Sequence, residues 1–339
     1  MLTAYDIFNG DADGICALQQ LRLHTPAVTK LITGVKRDIN LLQRVPTGEE
    51  STLIVLDISL DKNRTDLLRL LDEGATIHYV DHHFAGNIPQ HPRLTTNISN
   101  TSAACTSLLI NQQLKGAHQM WAAVGAFGDN LFDTANSLLS SLASRDREAL
   151  ATLGTLLNYN GYGITVDDLF FHPAELYRAV ASYSNPLHFI TEHSAFTTLQ
   201  QGYNDDMEQI SSTPVYDQQP HSQLLLIPDC GWSRRASGVY GNLLARQHPD
   251  RAHAIATELS SGGYRISVRA PLNSREGADR LCMQFPTGGG RAAAAGINSL
   301  PADMLDEFSK KFSRFWTCAI TDPIAKSAAA RDSVTPAKG

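Results

Sequence analysis

The sequence has no long apolar run and no excess of positive charge. No uninterrupted apolar segment approaches the roughly 20 residues that a membrane-spanning helix needs, and the first residues lack the pattern of a signal peptide. We therefore expect a cytoplasmic protein with no membrane partner. The net charge of −6 argues against a protein that binds long duplex nucleic acid.

Cysteine is also scarce, with five residues in the chain, and no pair has C-x-x-C spacing. This excludes the simplest zinc-ribbon pattern and favours reduced thiols. The cysteines are Cys16, Cys105, Cys230, Cys282 and Cys318.

The length of 339 residues favours two domains. Strand-like runs alternate with helical patterns over residues 1 to about 80, which is typical of a parallel sheet with crossover helices. The run from Thr52 to Leu56 has no polar alternation, as expected of a central strand covered on both faces. The pattern over residues 101–198 is mostly helical. We predict an α/β protein whose first domain, residues 1–199, is built on a doubly wound parallel sheet.

Residues 200–221 are polar and rich in turn formers, and we predict that they form a linker. A second, smaller α/β domain is predicted over residues 222–320. The tail at 321–339 is rich in Ala, Ser and Lys and is predicted to be disordered.

Four short segments in the first domain each place an acidic or imidazole group directly after an apolar run. The carboxyl ends of parallel strands meet at one edge of a sheet, so we expect these groups to converge. Several carboxylates buried together raise each other's pKa, and a divalent cation would relieve that conflict. The residues of these segments are Asn9, Asp11, Asp13, Asp57, Asp81, His82, His83, Asp129 and Asn130.

Taken singly, these segments have ordinary explanations. The run containing Asp11 and Asp13 could cap a helix, and Asp129 could end one. The tandem His82–His83 after Asp81 is more specific, because neutral imidazole is a ligand for transition metals. The combination predicts a metal site.

In order and spacing these segments resemble the motifs of the DHH phosphoesterase superfamily. The run from Gly288 to Gly296, GGGRAAAAG, resembles the glycine-rich motif of the DHH-associated substrate-binding domain. The resemblance covers most of residues 1–317. It implies a hydrolase of the nanoRNase or oligoribonuclease type, with two manganese ions in the first domain and nucleotide recognition in the second.

The resemblance also implies a ligand set. Asp11 and Asp57 would bind one ion, with Asp57 bridging to the other. The second ion would be bound by Asp13, Asp57, His82 and Asp129, and His83 would face the phosphate. Asp81 and Asn130 would orient neighbouring groups.

Two positions depart from the family pattern. Asn9 stands where the family usually has a histidine, so the first ion would gain an amide oxygen or lose a ligand. Arg291 also replaces a usual histidine and offers a permanently charged, bidentate contact to phosphate. Carboxylate ligands suit Mn²⁺ or Mg²⁺, and His82 favours Mn²⁺.

The candidate substrate residues lie in the second domain. Consecutive glycines can form an anion-binding concavity, although such a run can equally be a tight turn. The arginines can contact a nucleotide, although single arginines are more often solvated. These candidates are Gly288, Gly289, Gly290, Arg291, Arg269, Arg234 and Arg235.

Together these features predict a metal-dependent phosphodiesterase that hydrolyses short RNA, above all 5′-phosphorylated linear dinucleotides such as pGpG or pApA, to mononucleotides. An adenosine 3′,5′-bisphosphate phosphatase and a cyclic dinucleotide phosphodiesterase are alternatives within the same chemistry. A non-catalytic nucleotide sensor is the alternative of a different class. The oligomeric state is left open, with a homodimer among the arrangements.

Overall fold

The computed structural model describes residues 3–48, 50–101 and 103–321. The chain divides into two compact units after Asp206. The α/β class that the sequence predicts is confirmed in both of them.

A parallel sheet of five strands forms the centre of the first unit. The strands are β1 Thr3–Phe8, β2 Lys30–Ile32, β3 Ser51–Leu56, β4 Thr76–Asp81 and β5 Leu94–Ile98. Their order is β2-β1-β3-β4-β5, so the chain reverses direction across the sheet between β1 and β3. The sequence predicts the first four of these strands.

Apolar side chains cover both faces of this sheet. Tyr5, Ile7, Leu53 and Val55 belong to one buried cluster. Phe8, Leu56 and Val80 belong to another, together with most of the apolar helix residues. This explains why the third strand has no polar alternation, because neither face of it meets water.

Nine helices follow or separate these strands in the described part of the unit. They are α1 Ala12–His24, α2 Leu60–Asp72, α3 Thr106–Gln113, α4 Gln119–Gly128, α5 Phe132–Leu138, α6 Ser144–Gly161, α7 Pro173–Ala181, α8 Pro186–Glu192 and α9 Ser194–Ser211. The apolar run before Asp129 is the helix α4, so this carboxylate comes from a helix end and not from a strand end.

The second unit contains a mixed sheet of six strands. The strands are β6 Val215–Gln219, β7 Ser222–Ile227, β8 Ala252–Glu258, β9 Tyr264–Arg269, β10 Gly288–Gly290 and β11 Ala294–Leu300. Their order is β10-β11-β9-β8-β7-β6. The pair β7 and β8 is parallel, and the other neighbouring pairs are antiparallel.

Helices cover both faces of this second sheet. They are α10 Gly231–Gln247, α11 Ala278–Cys282 and α12 Leu305–Thr321. Leu225, Ile227 and Ile255 pack with residues of α10 on one face. Ile266, Val268 and many aromatic residues of α12 form the larger cluster.

The predicted linker at 200–221 is largely regular structure. Helix α9 continues to Ser211, and β6 pairs with β7 over most of the rest. Most of the polar residues there are exposed on regular elements, although Asp206 is buried, and such a polar composition is typical of a loop. The predicted disordered tail lies, apart from Thr321, outside the described residues.

In the described ranges, none of the helices combines the length and the apolar character needed to cross a membrane.

Candidate metal centre

The candidate site lies at the carboxyl edge of the first sheet. Asn9 follows β1 and Asp57 follows β3, and these two strands are neighbours across the reversal of strand order. Such a reversal opens a crevice at the strand ends in doubly wound sheets. Asp81 ends β4, which pairs with β3, so His82 and His83 emerge at the same edge.

Asp11 caps helix α1 and is buried. Its Oδ1 accepts hydrogen bonds from the backbone N–H groups of Asp13 and Gly14, at 3.0 and 3.1 Å. Gly10 brings the next loop close, because a Cβ at Gly10 would lie 2.0 Å from the carbonyl oxygen of Gly34. The segment after β2 is therefore packed against the start of α1.

Asp13 is held at the start of helix α3. Its two oxygens accept hydrogen bonds from the backbone N–H groups of Thr106 and Ser107, at 2.6 and 2.7 Å. The positive end of the helix dipole and these two donors favour the ionised carboxylate. The side chain is thus fixed in the crevice although it is only 1% exposed.

Asp57 directly follows β3 in the left-handed backbone region, with φ of 60°. Its N–H donates to the carbonyl oxygen of Val80, and its Oδ1 accepts from Thr106 Oγ1 at 3.1 Å. The left-handed turn directs the chain away from the sheet at the point where the carboxylate is needed.

His82 is oriented as a metal ligand would be. Its Nδ1 lies 3.0 Å from the carbonyl oxygen of Ala104, which can only accept, so Nδ1 carries a proton and donates. In the neutral ring, Nε2 then presents a lone pair. That atom lies 3.3 Å from Asp57 Oδ1 and 3.4 Å from Asp129 Oδ2.

Asp129 and Asn130 follow helix α4. Asp129 is the residue at the helix end, and Asn130 continues the turn with φ of 64°. The sequence analysis expects Asn130 to orient neighbouring groups, and that role stays a prediction.

His83 lies at the exposed side of the site, with about a third of its side chain accessible. Its Nδ1 is 2.7 Å from Asp81 Oδ1, and its ring centroid is 4.4 Å from that of His82. Asp81 is fully buried and accepts the Nδ1 hydrogen, which fixes the ring so that Nε2 is the atom that can exchange a proton with a ligand.

Lys36 is the residue of this site that sequence reasoning missed. Its Nζ contacts Asp11 Oδ2 and lies 2.9 Å from Asn158 Oδ1 and 3.4 Å from Asp129 Oδ1. Asn158 lies on α6, about 120 residues further along the chain. Nothing in the local sequence distinguishes Lys36 from a solvated surface lysine.

The pKa values of the carboxylates are displaced in opposite directions. Burial, and then the charges of neighbouring carboxylates, raise the pKa of Asp57 well above its ordinary value and also raise that of Asp13. Burial also raises the pKa of Asp11, but the Lys36 ammonium outweighs it and lowers that pKa. Burial lowers the pKa of Lys36, but Asp11 and Asp129 outweigh it and raise that pKa well above its ordinary value.

Two overlapping groups of side chains in the described residues are close enough to hold a metal ion. One is Asp13, His82 and Asp129, and the other is Asp57, His82 and His83, and in each group the ligand atoms lie within 4.8 Å of one another. In the neutral form of the His82 ring, the Nε2 lone pair faces two carboxylate oxygens, and these groups repel one another unless a cation lies between them. The residues therefore fit a divalent ion.

This arrangement can be compared with known proteins. No protein-family model and no curated protein matches the chain. Solved structures do match the chain in fold. A DHH-domain protein described as a member of a family of ribosomal proteins has a TM-score of 0.59 at 12% identity, covering 92% of this chain and 86% of its own. The chain has the DHH-domain fold.

Two further structures agree. The pGpG-specific phosphodiesterase PggH from Vibrio cholerae has a TM-score of 0.55 at 12% identity, covering 93% of this chain and 99% of its own. Exonuclease RecJ bound to manganese has a TM-score of 0.51 at 17% identity, covering 93% and 90%. The DHH resemblance inferred from the motifs is thus confirmed for the fold.

Next to the candidate metal centre of this DHH-domain fold is an open cavity of about 510 Å³. Val35 and Arg37, the neighbours of Lys36, line it, together with Arg44 and His172. Its volume is in the range of small-ligand sites. This cavity could not be predicted from the sequence, because its walls come from two segments more than 100 residues apart.

In the second unit, the glycines that are predicted to bind substrate pack closely against neighbouring backbone. The glycines form strand β10, paired with β11, and a Cβ at Gly288 would lie 1.8 Å from the carbonyl oxygen of Cys282. At least two of the three are therefore needed for close packing, since a Cβ at Gly290 would also meet the backbone of Ala295 at 2.4 Å. The predicted anion-binding concavity stays a prediction.

The arginines of the second unit fall into two places. Arg269 Nε donates to Asn242 Oδ1 at 2.7 Å, and it lies opposite Ala294, close to the exposed Arg291. Arg234 forms an ion pair with Asp229 at 2.6 Å and, like Arg235, lies near the start of α10. Since Asn242 is eight residues along α10 from Arg234, the two places are about 12 Å apart along that helix.

Proposed function

We propose that this protein is a divalent-metal-dependent phosphodiesterase that hydrolyses short 5′-phosphorylated oligonucleotides, preferentially linear dinucleotides such as pGpG or pApA, to mononucleotides. The observation that carries the proposal is His82, whose Nε2 faces Asp57 and Asp129 at 3.3 and 3.4 Å while Ala104 binds the other ring nitrogen. The similarity in fold to PggH and RecJ supports the same reaction class.

Asp13, Asp57, His82 and Asp129 would hold the ion, and Mn²⁺ suits a set of three carboxylates and one imidazole. A bound divalent ion supplies Lewis-acid polarisation of a phosphoryl oxygen. The N–H groups of Thr106 and Ser107 fix Asp13 in place and oppose the rise in its pKa, and Thr106 Oγ1 orients Asp57.

His83 is placed to handle a proton. Asp81 accepts its Nδ1 hydrogen at 2.7 Å, so that in the protonated ring Nε2 would carry the proton given to the leaving oxygen of the cleaved ester, or would stabilise the phosphoryl charge. Asp81 is completely buried and acts through His83, so we describe it as a positioning residue.

The cavity beside Lys36 supports a small substrate. Arg37 and Arg44 line it, but Asp38 lines it too and pairs with Arg44, so the volume of the cavity is what supports a ligand of one or two nucleotides. Recognition by Arg269, Arg291 and the glycine run of the second unit remains part of the proposal.

The test is product analysis of the purified protein with Mn²⁺ against pGpG, pApA, longer RNA oligomers, cyclic dinucleotides and adenosine 3′,5′-bisphosphate. We expect mononucleotides from linear dinucleotides, fastest among the panel, and no product with a chelator. Faster turnover of the bisphosphate or of a cyclic dinucleotide would replace the proposed substrate. Binding of nucleotide without turnover of any of them would show a sensor and refute the enzyme.

A further inference from the structure

Lys36 is held in the candidate metal centre from both sides of its backbone. Its N–H donates to the carbonyl oxygen of Gly161 at 2.8 Å, and its own carbonyl oxygen accepts from Asn9 Nδ2 at 3.1 Å. The chain thus fixes the point from which the lysine side chain enters the acidic crevice.

The ammonium group has an acceptor for each of its three hydrogens. Asp11 Oδ2 contacts Nζ, Asn158 Oδ1 lies at 2.9 Å, and Asp129 Oδ1 lies at 3.4 Å. Asn158 is 3% exposed, and its amide oxygen accepts a hydrogen bond without adding a charge. This is a built binding site for a single positive charge.

Both oxygens of Asp11 take part in hydrogen bonds within the chain. One oxygen accepts from two N–H groups of the first turn of α1, and the other binds Lys36. In the described part of the chain, neither group of acidic and histidine side chains that can hold a metal includes Asp11, and both include His82. Both groups therefore depend on His82, whose Nε2 has a single lone pair and can bind only one ion at a time.

Asn9 does not restore a second position. It is uncharged, and its Nδ2 is committed to the carbonyl oxygen of Lys36. Its buried Oδ1 has no hydrogen-bond partner among the described residues, but one amide oxygen beside a carboxylate already neutralised by an ammonium is a poor site for a dication. A dication on Asp11 would also lie next to Nζ and be repelled by it.

We propose that this centre holds one divalent ion, on Asp13, Asp57, His82 and Asp129, and that the Lys36 ammonium on Asp11 takes the place of a second ion. This proposal deepens the proposed function, since it rests on the site being the hydrolytic metal centre. It replaces the two-ion arrangement that the family resemblance implies. The second cation would then be part of the chain, and a chelator could not remove it.

The first test is the stoichiometry of Mn²⁺ binding to the full-length protein, measured by calorimetry and by electron paramagnetic resonance. We expect one Mn²⁺ per chain at saturation, with the hyperfine pattern of an isolated ion. Two Mn²⁺ per chain with an exchange-coupled spectrum would overturn the proposal.

The second test removes the charge. In Lys36→Met we expect a second Mn²⁺ to bind at saturation, because Asp11 loses its cation. The matched control is Lys30→Met, which removes an exposed lysine of the preceding strand β2 whose Nζ lies over the Tyr5 ring, and it should bind one ion as the wild type does. A folded Lys36→Met protein that still binds one ion would show that Lys36 does not occupy an ion position.

These readouts separate the two proposals. One Mn²⁺ per chain without turnover of any nucleotide would leave the inference standing and refute the proposed function. Two coupled ions with turnover of dinucleotides would do the reverse. The wild-type stoichiometry decides the matter even if Lys36→Met does not fold.

Discussion

The two units of this chain differ in how they use charge. In the first unit, four carboxylates and an imidazole are brought together in a crevice where almost all of them are buried. In the second unit, Arg269 and Arg234 are matched by acceptors within the same unit, Asn242 and Asp229. Buried carboxylates that outnumber the cations around them indicate a ligand, whereas arginines that have acceptors within their own unit first indicate a structural role.

Among substitutions in the candidate metal centre, Asp57→Asn should have the largest effect on the rate of hydrolysis. We expect the rate of dinucleotide hydrolysis with Mn²⁺ to fall by more than roughly 100-fold, because loss of groups beyond the direct metal ligands already costs about 10- to 100-fold. Steady-state kinetics at saturating Mn²⁺ measures it.

Asp66→Asn is the control, an acidic residue of α2 whose ion pair with Arg69 lies at the surface. It should keep the wild-type rate. A near-normal rate in Asp57→Asn would remove Asp57 from the centre.

Asp81→Asn should have the next largest effect. The amide keeps the shape but no longer accepts the His83 hydrogen as a charged partner, so we expect kcat to fall about tenfold with KM little changed. A change in KM alone, or a loss of Mn²⁺ binding equal to that of Asp57→Asn, would contradict a role through His83. The pH profile of kcat should also change in this variant.

Mn²⁺ should stabilise the protein more at neutral than at mildly acidic pH. The raised pKa values of Asp57 and Asp13 mean that the metal-free folded protein holds protons that the unfolded chain has released, so its stability falls as pH rises through these values. Asp11, whose pKa is lowered, contributes in the opposite direction. The ion must displace the protons, so its effect grows with pH.

Thermal unfolding with and without Mn²⁺ at the two pH values measures this difference. An increase in Tm of equal size at both pH values would contradict the assignment of Asp57 and Asp13 as ligands. In Asp57→Asn the increase should be largely lost.

Substitutions of the arginines in the second unit should have small effects, one on KM and the other on stability. Arg291 is exposed, and Arg291→Ala should raise KM roughly fivefold without changing kcat, as expected for one exposed charged contact. Arg269→Ala should instead lower the free energy of unfolding of the second unit by about 1 to 2 kcal/mol, because Asn242 loses its donor.

Kinetics and chemical denaturation of the two variants give this comparison. If Arg269→Ala raised KM by more than Arg291→Ala did and left stability unchanged, Arg269 would bind substrate. The proposed contrast between the two units would then be wrong.

Features with a local signal could be predicted from the sequence, whereas features that depend on distant contacts could not. The strands and the residues that end them could be predicted, because an apolar run followed by a carboxylate is a local signal and a parallel sheet brings such ends together. Asp129 shows the limit of that argument. It was predicted as a site residue at the end of an apolar run, but that run is the helix α4 and not a strand.

Lys36 could not be predicted, because its role depends on partners about 25, 93 and 122 residues away. The close packing of the glycine run could not be predicted either, because its sequence does not show that Cys282 and Ala295 lie against it. The same holds for the polar residues of α9, where helix formation depends on the elements it packs against and local composition favours a loop.

The backbone at Asp57 has a consequence for directed evolution. A backbone φ of 60° favours glycine over other residues. The burial of the Asp57 carboxylate among like charges further lowers the stability of the metal-free protein. Asp57→Gly should therefore give a more heat-resistant but inert protein. A library of variants screened only for survival at high temperature would enrich the loss of the centre, and a screen that includes Mn²⁺ would oppose it.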